Sequence, residues 1–315
     1  MHENNHSSAA HERSASATNP NPEVLSGRDV QASSIAEVAP TSEFHIELGR
    51  ANIIPSHIGV GETEIVLQRH GRYIRDRENP NVGSLTPEAI QVETESADRY
   101  FTELMDGLSH EELSSTYFLF VASDTVYAGG GMRSYETVSI AQRVAETLLA
   151  ERDVSTDNIL NNSHDLHAKG APRPMATLRE PKMFEKSPDF VQFLSDKYGD
   201  LGKDFWVAFE EDREEETRKA LGAEGPDEIA DRMKMATRAL SYYAAQFHRA
   251  HPGRRLVVWA GTHYDTISPF IKRDVLQQAK SAEVFVGHGG GVTIALDAQM
   301  QAQANINGQK YPVEL

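Results

Sequence analysis

The sequence contains no cysteine. Disulfides, thiolate zinc sites, iron–sulfur clusters and a cysteine nucleophile are therefore excluded, and a reducing compartment fits. Positive charge is scarce. Lysine and arginine number 31 against 47 aspartates and glutamates, which leaves a formal net charge of −16. So acidic a chain is a poor partner for a nucleic-acid backbone or an anionic membrane surface, and neither is expected. A small anion is still allowed, because a few clustered arginines reverse the field locally. Long apolar runs are also missing. None approaches the roughly 18 residues that a membrane span needs. The opening Met1-His2-Glu3-Asn4-Asn5-His6 lacks the basic start and apolar stretch of a secretory signal. The expectation is a soluble, cytoplasmic protein.

Aromatic residues are absent from Met1 to Ser42, a stretch rich in Ser, Ala, Asn, Pro and Glu. It buries too little apolar area to offset ordering entropy and reads as a disordered tail. Its His2, His6 and His11 read as solvated residues rather than metal ligands. The remaining 43–315 reads as one large domain, with order beginning near Phe44.

Within it, Thr63–Arg69 reads as a strand running into a turn at Gly71. Thr86 is a good N-cap and Pro87 suits the first position of a helix to about Met105. Tyr117–Ala122 and Leu256–Ala260 are apolar runs of buried-strand type. Helical spacing covers Ser134–Leu149, Phe205–Leu221, Pro226–His248 and about Ile267–Ala279. The charge run Glu210–Glu216 reads as a solvated helix face. Val284–Val286 and Val292–Leu296 read as the closing strands, with Gly287–Gly291 as the turn between them. Strands alternating with helices predict a three-layer α/β/α sandwich around a mostly parallel sheet. Sites in such sheets lie beyond the carboxyl ends of the strands.

Arg69-His70-Gly71 follows the first of these strands. Ser123-Asp124 follows the second, with Arg133 at the start of the next helix. Gly261-Thr262-His263 follows the third. An arginine at a helix start opposes the macrodipole, which an anionic ligand there would explain. Guanidinium forks match phosphate oxygens. One imidazole can attack phosphorus while a second donates to its oxygens. Together these make a phosphate pocket that needs neither metal nor cofactor.

Leu67-Gln68-Arg69-His70-Gly71 resembles the signature turn of the histidine phosphatase superfamily, the phosphoglycerate-mutase-like group. The resemblance continues through Leu85-Thr86-Pro87-Glu88, through Arg133-Ser134-Tyr135-Glu136-Thr137 and through Val257–His263, and spans about Thr63 to Leu296. It implies His70 as nucleophile, Arg69 and Arg133 as clamps on the phosphoryl oxygens, and His263 as a further donor to them. The proton donor comes from the region after the second arginine. Leu178-Arg179-Glu180 resembles the stretch that supplies it, so Glu180 is the candidate, with Glu185, Asp189 and Asp165 as rivals. Roughly 155–225 is expected to form a cap that selects a small phosphorylated substrate.

The run Arg72-Tyr73-Ile74-Arg75-Asp76 departs from the family, and Arg72 or Arg75 is the candidate third cation, with Arg75 preferred. Glu136 stands where relatives have Gln. His288-Gly289-Gly290-Gly291 matches an esterase oxyanion loop, but no Gly-x-Ser-x-Gly elbow accompanies it. It reads as a loop needing positive φ, with His288 a minor rival to His263. His164 and His167 read as loop histidines. The expected activity is metal-independent hydrolysis of a phosphomonoester through phospho-His70. The alternatives are a phosphoglycerate-mutase-type phosphotransferase and a catalytically silent phosphate-binding or scaffold protein.

Overall fold

The computed structural model describes residues 44–127, 129–162 and 170–315. The tail 1–42, His164, Asp165 and His167 lie outside the described residues. The chain runs β1 (His45–Leu48), β2 (Thr63–Arg69), α1 (Pro87–Asp106), α2 (His110–Ser114), β3 (Thr116–Ala122) and α3 (Arg133–Glu151). Next come β4 (Arg173–Pro174) and the short helices α4 (Met183–Lys186), α5 (Pro188–Tyr198), α6 (Lys203–Glu210) and α7 (Glu215–Ala220). The long α8 (Pro226–Ala250) leads to β5 (Arg255–Thr262), α9 (Tyr264–Phe270), β6 (Glu283–Val286), β7 (Gly291–Leu296), β8 (Ala302–Ile306) and β9 (Gln309–Val313).

Seven strands form the main sheet in the order β4-β3-β5-β2-β7-β8-β9. The first four are parallel, and β7, β8 and β9 add an antiparallel wing. Strand side chains alternate between faces. Val66, Phe118, Phe120, Val257 and Trp259 therefore pack under α1 and α3. Ile65, Leu67, Leu119, Val121, Leu256 and Val258 pack under α8 and α9. This is the three-layer α/β/α sandwich that the alternation of elements predicts.

Several elements differ from the sequence expectation. β6 leaves the main sheet and pairs with β1 in a separate two-stranded ribbon. The chain does not close on β7, because the β8–β9 hairpin follows it. The expected helix Phe205–Leu221 is broken into α6 and α7 at Asp212, whose φ of 55° is left-handed. The charge run there is not one solvated face. Glu210 is buried against Lys272 at 2.7 Å, and Asp212 is buried against Arg218 at 2.7 Å. A buried carboxylate without a cation is costly, so each has one. Residues 155–162 and 170–178 run beside the sheet, where Asn158 and Asn161 bond the backbone of β3. The helices α4–α6 and the start of α8 share a separate apolar cluster that includes Met183, Phe190, Leu194, Phe205, Phe209 and Ile229.

Glu64, fully buried on β2, accepts from the Tyr100 hydroxyl and from Ser56 N–H at 2.5 Å. Burial outweighs these bonds and pushes its carboxyl up to about 7. A raised carboxyl adds stability below its unfolded value and loses it as pH rises through its folded one. Glu64→Gln should therefore gain on the wild type between pH 4.5 and 8. The gain should be roughly 3 kcal/mol, at about 1.4 kcal/mol per pK unit. Urea unfolding of both proteins across that range checks it, and parallel pH profiles would contradict it.

Candidate active site

The carboxyl ends of β2, β3 and β5 lie side by side, which brings Arg69-His70, Ser123 and His263 to one edge. His70 and His263 are 2% and 1% exposed, and their ring centroids are 5.2 Å apart. The His70 ring nitrogen Nδ1 is 2.7 Å from the Gly71 carbonyl. A carbonyl only accepts, so Nδ1 carries the proton and Nε2 keeps its lone pair. Burial, followed by the charge of Arg133, holds the His70 imidazole well below its ordinary pKa, so it is neutral near pH 7. His263 is lowered in the same way, first by burial and then by Arg133 and Arg69. Its Nε2 lies 2.9 Å from Ser123 Oγ.

Arg133 opens α3, where the run that follows fixes it. Glu136 accepts from the Met132 and Leu85 N–H groups at 3.1 and 2.7 Å. Thr137 Oγ1 accepts from Gly71 N–H at 3.1 Å and donates to the Arg133 carbonyl at 2.8 Å. The helix start is thereby tied to the Arg-His-Gly turn, and Glu136 caps it. The Arg133 guanidinium lies against two tyrosine rings, 3.9 Å from the Tyr73 centroid and 4.1 Å from that of Tyr127. Such stacking favours a planar cation and fixes its plane.

Arg69 donates to the Val286 carbonyl at 2.6 Å and lies 3.2 Å from His288 Nε2. Burial lowers its pKa to about 10, so it stays charged near neutrality. The His288 ring sits 5.8 Å from His70. Burial and then Arg69 push His288 down to about 3, so it too is neutral. The glycines after it let its loop close over the turn. Gly289 has φ +71°, and a Cβ there would come within 2.4 Å of Glu93. Gly289 N–H bonds the His70 carbonyl, and Arg69 N–H bonds the Gly290 carbonyl.

Glu180 reaches the same place from the segment after β4. Its Oε2 accepts from the Tyr127 hydroxyl at 2.6 Å and from Arg133 at 3.3 Å. Burial raises its pKa against both of these bonds. The segment is clamped on several sides. Arg179 and Asp124 form a bidentate pair at 2.5 and 2.8 Å. Arg232 donates to the Thr177 and Arg179 carbonyls, and Thr262 to that of Leu178. Asp265 is buried on α9, where desolvation and then the charge of Glu180 push it up to about 7. Glu185 and Asp189 are exposed.

The structure thus gathers Arg69, His70, Arg133, Glu180 and His263. Arg75 is exposed and stacks on Tyr73 at 5.3 Å, on the outer side of the group. His288, Tyr73, Tyr127 and Asp265 complete the site. Of these the sequence marked only His288, as a minor rival. Among the described residues no three His, Asp or Glu side chains group as a metal would require.

Three buried nitrogens of this group have no hydrogen-bond partner: Arg69 Nε, Arg133 Nε and His263 Nδ1. Buried polar atoms are nearly always paired, so three orphans around one neutral imidazole mark a place for an oxyanion. Fold and side chains together define an α/β/α protein with two arginines and two further imidazoles beside a buried, singly protonated histidine, an arrangement able to hold an anion.

No family model and no curated protein matches the chain. Solved structures of similar path include a phosphoglycerate mutase from Bacillus anthracis, at 15% identity and TM-score 0.45, covering 79% of this chain and 94% of that one. Another is a mycobacterial glucosyl-3-phosphoglycerate phosphatase, at 14% identity and TM-score 0.44, covering 77% of this chain and 97% of that one.

Proposed function

We propose that the chain is a metal-independent phosphomonoesterase of the histidine phosphatase type, with a small phosphorylated molecule as substrate. The three unpartnered nitrogens around the free Nε2 of His70 carry this reading. The phosphoryl group sits between Arg69, Arg133 and His263. Its negative charge offsets the two arginines that depress His263, which then takes a proton and donates Nδ1–H to it. His70 Nε2 forms the bond to phosphorus as the bond to the ester oxygen breaks. Glu180, whose pKa burial raises, gives its proton in the acid form to the departing alcohol. The resulting phosphoimidazolium keeps its Nδ1–H on the Gly71 carbonyl. Glu180, now a carboxylate, takes a proton from water as the water oxygen attacks phosphorus, and phosphate leaves with His70 restored. Asp265, beside Glu180, disfavours a second negative charge and helps keep a proton on the pair.

Phosphate release from an aryl phosphate in the presence of a chelator tests the reading. Release that survives the chelator supports it, and release that requires added metal contradicts it. Phosphohistidine formation without release would instead indicate a mutase, and phosphate binding without either would indicate a binding protein.

The hydroxyl of Tyr127 stabilises the Glu180 carboxylate. Tyr127→Phe should raise the pKa of that acid further, and the acid must be protonated to act. The alkaline limb of the kcat profile should therefore move to higher pH. A limb that stays in place, or moves down, would remove Glu180 from the role.

A further inference from the structure

Beside the proposed phosphate site lies a cavity of about 490 Å³ that Arg69, Arg75 and His288 help to line. That volume is in the range of small-molecule sites, about 300–1,000 Å³. Its wall is an aromatic series. The Arg69 guanidinium lies 5.1 Å from the Tyr264 ring, Tyr264 is 6.2 Å from Trp206, and Phe285 is 5.7 Å from Tyr264. Val207 from α6 and Leu201 before it line the same space. Leu201 and Phe285 are 49% and 43% exposed, so two large apolar side chains face an open cavity rather than a core. The lysines that line it are already matched: Lys272 pairs with Glu210, Lys203 with Glu283, and Lys280 with Asp212 and Asp227. Arg75 also lines the cavity, without an ion pair among the described residues, and stacks on Tyr73.

We infer that the substrate is the phosphomonoester of a bulky apolar alcohol, an alkyl chain or a ring system, whose body lies along Tyr264, Trp206 and Phe285. This rests on the phosphatase reading, and it makes small polar alcohols poorer leaving groups than apolar ones. Helix α6 supplies Trp206 and Val207 to this wall, so it acts as the selecting part of the cap.

The test is equilibrium binding of octylphosphonate and methylphosphonate by calorimetry, which needs no turnover. Octylphosphonate should bind at least about 30-fold more tightly, since each buried methylene contributes up to about 0.8 kcal/mol. Phe285→Ser and Leu201→Ser change exposed residues, and each should cut that ratio at least threefold. Tyr242→Ser, at an exposed aromatic on α8 outside this cavity, should leave it alone. Equal affinities for the two ligands in the wild type, or a ratio untouched by either cavity variant, would overturn the inference. If both ligands bind equally and Arg133→Ala abolishes both, only the apolar pocket fails. If octylphosphonate binds tightly without regard to Arg133, the phosphate site fails and the apolar pocket stands.

Discussion

His70→Ala should lower phosphate release at least about 10⁴-fold, the scale seen when an enzyme loses its nucleophile. The loss should fall on kcat, because Arg69, Arg133 and His263 still hold the phosphoryl group. So large an effect follows from the tautomer. The Gly71 carbonyl, 2.7 Å from Nδ1, holds the proton on that nitrogen. Burial and the nearby arginines keep the ring from taking a second proton. Nε2 is thus a ready nucleophile near neutral pH with no base needed to free it. Neither His263 nor His288 can substitute. His263 has its Nε2 on Ser123 Oγ, and His288 has its Nε2 on Arg69. Steady-state kinetics with an aryl phosphate checks this, and a variant retaining a tenth of wild-type kcat would contradict it.

Arg133→Ala should cost about 10²- to 10³-fold in kcat/KM, as removal of a preorganised donor to a developing oxyanion does. Competitive inhibition by inorganic phosphate should weaken with it. Arg133→Lys should recover little. An ammonium cannot reproduce a plane held against Tyr73 and Tyr127, nor two N–H groups directed at once to Glu180 and to phosphate. Arg75→Ala gives the comparison. That side chain is exposed on the outer side of Tyr73, so its removal should change kcat/KM by less than about tenfold, as expected for a screened surface charge. Inhibition constants for phosphate and kcat/KM for all three variants decide the matter. Full rescue by lysine would show that only the charge matters, and that the two tyrosines do not position it.

The parts of the fold that were legible in the sequence are those whose burial is complete. β2, β3 and β5 are covered on both faces, so they appear as continuous apolar runs. The long helices α1, α3 and α8 carry a single apolar stripe each, and α1 adds a Thr86 cap and Pro87. The short helices α4–α7 bury too few residues each for a period to emerge. Their charges mislead as well, because Glu210 and Asp212 are buried with partners that lie far away in sequence or across a turn. The β8–β9 hairpin carries a signal that the reading passed over. Asn307-Gly308 is a two-residue turn with both φ angles positive, 53° and 79°. Such a pair between strands is a strong hairpin marker.

The site divides in the same way. Arg69, His70, Arg133 and His263 stand at the ends of readable elements, in a recognisable order. Glu180 was reachable only through a resemblance in a region without periodicity. Tyr73, Tyr127 and Asp265 belong to no spacing rule. Their contribution is visible only once Arg133 lies against two rings and two carboxyls share a buried space. His288 shows how a loop motif can mislead. Its glycines are there to close the backbone over the Arg-His-Gly turn, and that closure is what delivers the imidazole to Arg69.

The central claim is that His70 becomes phosphorylated during turnover. The direct measurement is rapid quench of the enzyme with an aryl phosphate under alkaline conditions, followed by mass-spectrometric mapping of the adduct. The account predicts one phosphoryl group, acid-labile, on His70 and absent from His70→Ala. A phosphoryl group on any other residue, or phosphate release with no adduct at any time, would contradict it.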